Sequence, residues 1–224
     1  MRRAIVALAL LASTWLLPSD PADAACGLAG KRAGKTAYRS TTMTTAPVVL
    51  YGDSITYQVV DRLRIRHDDL AIDAWWGRST RSGVDALARD RYFAKRAPRV
   101  VVMALGTNDW QQPQAMASLV RYTRSVLPRS TRLLWLTTYA DTRPGWEQVN
   151  REIALVPGVE VVDWAARNLR ARGTATRSPL LYDGVHLSCA GADAWIRLVE
   201  ASLRNRVIGA LAPLSDEAAE AGYP

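Results

Sequence analysis

The stretch VVLYGDSITY, residues 48–57, sets a run of apolar, mostly β-branched residues directly before Gly52, Asp53 and Ser54. A short apolar run bounded by a glycine is typical of a buried strand. A strand that hands over to small polar residues presents them at the carboxyl edge of its sheet, where open α/β folds bind ligands. Ser54 is therefore a candidate nucleophile. The alternative is that Asp53 or Ser54 only caps the following helix.

Four further apolar runs follow along the chain, separated by segments long enough for helices. The predicted strands are residues 48–51, 70–75, 100–105, 133–138 and 159–162. Residues 55–66 and 113–127 are predicted crossover helices, and residues 190–207 are a predicted amphipathic last helix. Alternating strands and helices predict parallel βαβ units with helices on both sheet faces. We predict an α/β fold, a three-layer α/β/α sandwich around a five-stranded parallel sheet.

The 224 residues suit one domain with segments at either end that lie outside it. Residues 1–24 combine two arginines, the apolar run 4–17 and small residues ending at Ala24, which are the parts of a secretory signal peptide. The apolar run is shorter than the roughly 20 residues of a membrane span. We predict a signal peptide over 1–24, a flexible arm over 25–46, the domain over 47–207 and a tail over 208–224. The mature protein is expected outside the cytoplasm, without a transmembrane span.

The only two cysteines are Cys26 and Cys189. An exported chain can join them in a disulfide, or both can remain thiols. Lipid anchoring at Cys26 is a further alternative.

The formal net charge of +8 comes from arginines scattered along the chain, without a recognition helix or an aromatic RNA-binding signature. We therefore expect no nucleic acid as partner. Attraction to anionic cell-wall polymers or membrane surfaces fits an exported basic protein, and a solvated basic surface without a specific partner is the alternative.

Residues 29–36, AGKRAGKT, come close to a phosphate-binding P-loop. Such a loop must join a strand to a helix so that backbone amides and the helix start hold the phosphates. No strand is predicted before this stretch and no helix after it. The sequence therefore argues against nucleotide binding.

A nucleophilic serine needs a base, an orienting carboxylate and donors for the oxyanion. The chain has two histidines, of which His67 lies among charged residues typical of a surface position. His186 follows Asp183 by three residues in a glycine-containing loop, a spacing that lets the carboxylate orient the imidazole. Asn108, after the strand 100–105, can donate to an oxyanion at the same sheet edge. Taken alone, Asn108 is more often an Asx-turn residue. The alternative for Asp183 and His186 is a loop pair without a catalytic role, although their spacing favours catalysis.

Four blocks in this order resemble the SGNH (GDSL-type) hydrolases: Gly52–Ile55, Gly77, Gly106–Asp109 and Asp183–His186. The resemblance covers about residues 47–206, and the second block consists of little beyond Gly77. It implies a flavodoxin-like sandwich and acyl transfer without metal or organic cofactor. Ser54 would be the nucleophile, His186 the base and Asp183 its orienting carboxylate. The backbone N–H groups of Ser54 and Gly77 and the Asn108 amide would bind the oxyanion.

The segment TRPGWEQVN, residues 142–150, is also similar to part of the SGNH domains that O-acetylate peptidoglycan. The expected function is a secreted serine esterase with an acyl-serine intermediate, and the expected substrate is an ester, either short acyl groups on cell-wall polysaccharide or a small lipid or aryl ester. The alternatives are an O-acyltransferase acting on a cell-wall sugar hydroxyl and a catalytically silent binding module. Trp76, Trp110 and Trp146 are candidate substrate-lining residues, although buried tryptophans more often serve core packing.

Overall fold

One six-stranded sheet organises residues 36–204, the part of the chain that the computed structural model describes. The strands are β1 (Ala37–Arg39), β2 (Val48–Gly52), β3 (Leu70–Trp75), β4 (Val100–Ala104), β5 (Arg132–Leu136) and β6 (Glu160–Val162). Their order is β1-β3-β2-β4-β5-β6, and every pair is parallel except β1 with β3. All residues of β2, β4 and β5 are buried because helices cover both faces.

Six helices of the described part of the chain form two layers on this sheet. They are α1 (Ser54–Arg66), α2 (Thr80–Phe93), α3 (Met116–Ser125), α4 (Trp146–Ala154), α5 (Trp164–Arg172) and α6 (Cys189–Arg204), with a 3₁₀ turn at Pro113–Ala115 before α3. One apolar core joins the sheet to α1, α5 and α6, and a second joins the opposite face to α2, α3 and α4. The predicted three-layer sandwich is confirmed. The five parallel strands have the flavodoxin-like order.

The predicted sheet was one strand short. The sixth strand, β1, comes from the segment expected to be a flexible arm, and it pairs antiparallel with β3, Tyr38 opposite Ala74. Met43, a few residues later, is buried. A three-residue strand without alternating apolar residues gives no periodic signal in the sequence. It forms because the open edge of β3 offers backbone groups for pairing.

Several expectations concern residues outside the described part of the chain. These are the signal peptide with its cleavage near Ala24, the tail over 208–224 and Cys26, so the Cys26–Cys189 disulfide stays a prediction. Cys189 begins α6. Within residues 36–204, no helix combines the length and apolar character needed to cross a membrane.

The strand order reverses at β2. The chain passes from β2 to β3 on one side, and β4 then pairs with β2 on the other side. Open α/β sheets bind ligands at the carboxyl edge of such a switch point. The residues after β2 and after β4 both lie at this edge.

Candidate active site

Asp53, rather than Ser54, caps the helix that follows β2. Its carboxylate accepts a hydrogen bond of 2.9 Å from the Ile55 N–H, which leaves Ser54 as the first residue of α1. Gly52 allows the tight passage from strand to helix, because a Cβ there would lie 2.0 Å from the Thr56 hydroxyl oxygen. The capping alternative thus accounts for Asp53 and leaves the Ser54 hydroxyl available.

Ser54, His186 and Asp183 form one chain of hydrogen bonds. Ser54 Oγ lies 3.1 Å from His186 Nε2, and His186 Nδ1 lies 2.7 Å from Asp183 Oδ2. Asp183 Oδ1 accepts from the backbone N–H groups of Val185 and His186, at 2.8 and 2.7 Å. Because an ionised carboxylate only accepts, Nδ1 carries the ring hydrogen and Nε2 faces the serine as an acceptor.

A short hairpin holds the Asp183–His186 loop. Leu181 and Leu187 form an antiparallel bridge, and the Tyr182 N–H donates to the His186 carbonyl at 3.0 Å. The Leu187 N–H donates to Gln58 Oε1 at 2.9 Å. Since Gln58 lies one turn after Ser54 on α1, the same helix carries the serine and fixes the loop of the histidine.

Two aromatic rings lie nearly parallel to the His186 imidazole. The Trp76 ring stacks on it with centroids 4.9 Å apart and planes 21° apart, and the Tyr182 ring lies 6.0 Å away at 24°. Trp76 also meets Tyr57 edge to face at 6.1 Å. Trp76, predicted to line the substrate site, is therefore placed against the histidine itself.

Asn108 has its side-chain amide oriented by two partners. Arg143 Nη1 donates to Asn108 Oδ1 at 3.0 Å and to the Thr107 carbonyl at 2.7 Å, while Asn108 Nδ2 donates to the Arg78 carbonyl at 3.0 Å. A guanidinium only donates and a carbonyl only accepts, so only one orientation of the amide satisfies both. The second hydrogen of Nδ2 is available to a further acceptor.

Gly77 lies in the loop between β3 and α2, with a left-handed backbone (φ +73°). The next residue, Arg78, is buried and anchors this loop through bonds to Asp73, 2.9 Å to the carbonyl and 3.2 Å to Oδ2. At the start of α2, the Thr80 N–H and hydroxyl donate to Asp109 Oδ2 at 2.9 and 2.7 Å. The Gly77 loop and the Asn108 loop are thus tied together.

Arg39 of β1 is the second arginine in a cluster of buried charges that supports these loops. Its guanidinium binds both Asp73 and Asp90, and the Tyr51 hydroxyl donates to Asp90 at 2.8 Å. Two arginines therefore neutralise two buried carboxylates, as buried charges require. The strand that sequence analysis missed contributes one of the four groups.

No protein-family description matches the chain by sequence, and no curated protein does. Solved structures match its fold. A lipase/acylhydrolase from Enterococcus faecalis is 21% identical, with 71% of this chain and 95% of that chain covered and a TM-score of 0.58. The catalytic domain of peptidoglycan O-acetyltransferase A from Streptococcus pneumoniae is 19% identical, with 71% and 93% covered and a TM-score of 0.55. A GDSL-like lipase from Bacteroides thetaiotaomicron is 15% identical, with 70% and 87% covered and a TM-score of 0.55.

The chain has the SGNH hydrolase fold. Its four blocks, separated by up to about 130 positions in sequence, meet at one edge of that fold. The described geometry brings Ser54, Asp183 and His186 into direct contact, while Gly77 and Asn108 are joined through Arg78.

Two carboxylates of the candidate site have shifted pKa values. Burial acts to raise the pKa of Asp183, but hydrogen bonds from the His186 ring and from the backbone N–H groups of His186 and Val185 outweigh it, so the pKa is lowered. For Asp53, burial dominates over the hydrogen bond from the Ile55 N–H and raises the pKa to about 6. Because its pKa is lowered, Asp183 is ionised at every pH at which a neutral His186 could act as a base, and it accepts the hydrogen bond from Nδ1.

Trp146, Trp110 and His67 lie apart from the triad contacts. Trp146 begins α4 and packs against Tyr139, with ring centroids 4.9 Å apart and the apolar core beneath, so packing accounts for it. The backbone carbonyl of Trp110 packs closely against Gly145, since a Cβ added to that glycine would lie 2.7 Å from the carbonyl oxygen. His67 pairs with Glu200 at 3.2 Å on the opposite edge of the sheet, as expected for a residue outside the site.

Sequence reasoning missed the groups that hold the site. Arg143 belongs to the segment 142–150, which was noted only as a likeness, and Asn150 of that segment binds both backbone groups of Thr138, at 2.7 and 2.8 Å. Gln58 and Tyr182 lie four positions from Ser54 and His186, respectively. That closeness in sequence could have identified them as neighbours of the site. Asp73 at an otherwise apolar strand position was a second one, because a carboxylate inside a buried strand requires a partner.

Proposed function

We propose that the chain is a secreted serine esterase of the SGNH type that cleaves esters through an acyl-serine intermediate. The observation that carries the proposal is the continuous chain of hydrogen bonds from Asp183 through His186 to Ser54. A nucleophile, its base and the group that orients the base are all within hydrogen-bonding distance, which is the arrangement that activates a hydroxyl.

In the proposed reaction, Ser54 Oγ attacks the ester carbonyl carbon while His186 Nε2 takes the hydroxyl proton. Asp183 stabilises the imidazolium that forms. The tetrahedral intermediate then collapses, the bond to the alcohol oxygen breaks, and His186 returns the proton to the leaving alcohol. Water attacks the acyl-serine with His186 again as base, which releases the acid and restores the hydroxyl of Ser54.

Three donors are proposed for the oxyanion. The Ser54 N–H belongs to the first turn of α1, whose amides have no acceptor inside the helix. Asn108 contributes the second hydrogen of Nδ2, and Gly77 its backbone N–H. Donors fixed before the reaction stabilise developing charge without reorganisation, and the bonds of Asn108 to Arg143 and Arg78 supply that fixation.

The preferred substrate class is short acyl esters on cell-wall polysaccharide. An exposed site supports this choice, since Tyr182 beside His186 is 44% exposed and a polymer needs an open approach. A signal peptide over residues 1–24 would bring the enzyme to such a substrate, and one structure with this fold is named for peptidoglycan O-acetylation. Small lipid or aryl esters are the second choice.

Acyl transfer to a sugar hydroxyl is the second candidate function. The segment 142–150, similar to part of the O-acetylating domains, lies at the site, where Arg143 binds the carbonyl of Thr107 and the side chain of Asn108. A transferase assayed with p-nitrophenyl acetate and a chitooligosaccharide acceptor would produce acetylated sugar. An esterase would release acetate at the same rate with or without the acceptor.

The test of the proposed function is the intact mass of the protein after incubation with a fluorophosphonate ester probe, beside turnover of p-nitrophenyl acetate. We expect a single adduct and turnover in the wild type, and neither in Ser54→Ala. Thr56→Ser, a nearby hydroxyl change on α1, is the matched control and should retain both. Absence of an adduct in the wild type would favour the catalytically silent binding module, with Asp183 and His186 as turn residues.

A further inference from the structure

The end of α2 exposes two adjacent aromatic side chains. Tyr92 is 84% exposed and Phe93 is 67% exposed, and their rings touch edge to face with centroids 5.0 Å apart. Each ring thus packs on the other while both remain in solvent. A single exposed apolar side chain is ordinary, but adjacent exposed aromatic rings mark interaction surfaces more often.

Basic residues flank these two aromatic residues along the chain. Residues 89–99 contain five basic side chains, Arg89, Arg91, Lys95, Arg96 and Arg99. The one carboxylate in this segment, Asp90, is buried and bound by Arg39 and Tyr51, and Arg89 lies 3.9 Å from it. The surface at the end of α2, here called the Tyr92–Phe93 patch, consists of Arg89, Tyr92, Phe93, Lys95 and Arg96, all of them exposed.

The patch lies at the edge of the sheet opposite Ser54. Thr80, the first residue of α2, binds Asp109 in the loop after β4, whereas the patch ends the same helix. The fourteen residues of α2 span about 20 Å at 1.5 Å each. A surface that covers the patch would therefore leave the Ser54 edge facing away from it.

The helix beside α2 has the same character. α3 packs against α2, contains Arg121 and Arg124 but no acidic residue, and exposes Tyr122 by 48%. Arg129, in the loop that leads from α3 to β5, is exposed as well. Basic residues and exposed aromatic rings thus extend over the ends of two neighbouring helices.

We propose that the Tyr92–Phe93 patch docks the protein on an anionic lipid bilayer. The two rings enter the headgroup region, and the arginine and lysine side chains bind lipid phosphates, which is how amphipathic surfaces bind membrane interfaces. A dissolved polyanion would satisfy the cations but would leave Tyr92 and Phe93 in water. The bilayer accounts for both features, and it orients the open site toward the aqueous side.

The test is cosedimentation of the purified protein with vesicles of phosphatidylcholine and phosphatidylglycerol, in equal amounts, at about 0.1 M salt. We expect the wild type to bind these vesicles and to bind pure phosphatidylcholine vesicles much more weakly. Lys95→Glu/Arg96→Glu should weaken binding at least about 25-fold, since one cation contributes about fivefold at such a surface. Phe93→Ser should weaken it about tenfold.

Two control variants lie on the opposite helical layer. Arg167→Glu/Arg170→Glu on α5 changes the net charge by the same amount at exposed positions. Ile65→Ser on α1 removes an apolar side chain that is 87% exposed. Both should bind like the wild type when all variants are compared in the same mature form, without the predicted signal peptide over 1–24.

Three results would overturn the proposal. The wild type could fail to bind the anionic vesicles. The α5 charge variant could lose as much affinity as the patch variant, which would mean that only net charge matters. Phe93→Ser could bind vesicles normally while heparin, a dissolved polyanion, competes fully, which would identify a polyanion site without lipid insertion. None of these results depends on esterase activity, so the proposed function stands or falls separately.

Discussion

At the scale of single residues, Asn108 is one of the proposed oxyanion donors, and hydrogen bonds from two sides fix its side chain. Arg143 donates to its carbonyl oxygen and the Arg78 carbonyl accepts from its nitrogen. Besides fixing the orientation, a cation on the amide oxygen polarises the amide and strengthens its N–H as a donor. Arg143 is therefore a positioning residue that acts through Asn108.

We expect Asn108→Ala to lower kcat by about 10²–10³, the usual effect of removing one oxyanion donor, and Arg143→Gln to lower it by about tenfold with little change in KM. In the double variant, the Arg143 change should add nothing further, because its target is gone. Steady-state kinetics with p-nitrophenyl acetate measures all three. Arg151→Gln, an exposed arginine on α4, should be silent. Equal tenfold effects of Arg143→Gln with and without Asn108 would contradict this coupling.

Asp53 makes the second prediction at this scale, a pH dependence of stability. Burial raises its pKa from 3.8 to about 6, so the folded protein holds this proton more tightly than the unfolded chain does. The resulting stabilisation is complete below the unfolded value and is lost as the pH rises through the folded value. Relative to Asp53→Asn, whose amide stays neutral, the wild type should lose about 2 kcal/mol of unfolding free energy between about pH 4 and about pH 7.

Urea unfolding at both pH values measures this difference. Asp61→Asn, an exposed carboxylate on the same helix, should change little between the two pH values. A wild type whose unfolding free energy runs parallel to that of Asp53→Asn would show that burial does not control this carboxyl group.

At the scale of elements, α1 unites the two halves of the site. It presents Ser54 at its first position and Gln58 one turn later, where Gln58 Oε1 accepts from the Leu187 N–H of the histidine hairpin. Gln58 is 1% exposed, so water cannot replace this bond.

We expect Gln58→Met to leave the Leu187 N–H unpaired, to cost about 1–3 kcal/mol of unfolding free energy and to lower kcat because His186 loses its fixed distance from Ser54. Urea unfolding and the rate of labelling by a fluorophosphonate probe test both effects. Gln114→Met, an exposed glutamine outside α1, is the control. Unchanged labelling together with reduced stability would limit Gln58 to a structural role.

Also at this scale, the sequence predicted the parallel strands well, because each is a continuous buried apolar run. The predicted bounds of β3 are confirmed at both ends, and the other strand ends differ by at most two residues; β5, for example, begins at Arg132 and not at residue 133. Arg132 was missed as a strand residue because its charge hides its buried position beside Glu160, to which it donates at 2.9 Å. The hydropathy pattern of a sequence shows whether a side chain is polar or apolar, but it does not show which distant residue pairs with it.

At the scale of the whole molecule, β1 connects the amino-terminal segment to the buried carboxylates that support the loops of the candidate site. Arg39 binds Asp73 and Asp90, and Asp73 in turn binds Arg78, next to Gly77. The strand also covers the edge of β3, and an uncovered edge favours pairing with other chains. The segment before residue 47 is thus part of the folded unit from at least residue 37 onward.

A chain that begins at Pro47 should therefore be less stable than one that begins at Thr36, by at least about 2 kcal/mol, because Asp73 and Asp90 lose a cation. It should also aggregate at lower concentration. Urea unfolding and light scattering measure the two effects. Arg39→Ala in the longer chain separates them, since it removes the charge and keeps the strand. Equal stability of the two chains would make β1 dispensable.

The sequence by itself determined what depends on local composition and on order along the chain. Its apolar runs specified the parallel strands, its helical segments specified the sandwich, and the positions of Ser54, Asn108, Asp183 and His186 after strand or loop endings marked one edge as the site. With only two histidines in the chain, the sequence offered two candidates for the proposed base, and its loop beside Asp183 favoured His186.

Only the tertiary structure decided which groups meet across long separations. It paired a three-residue strand with β3, placed Arg143 on Asn108, set Gln58 against Leu187 and stacked Trp76 on His186 while Trp146 packed against Tyr139. These contacts depend on directions in space, because a hydrogen bond or a ring stack requires a particular distance and angle between side chains. Sequence periodicity specifies which face of an element is buried, but it does not specify which distant residue lies opposite.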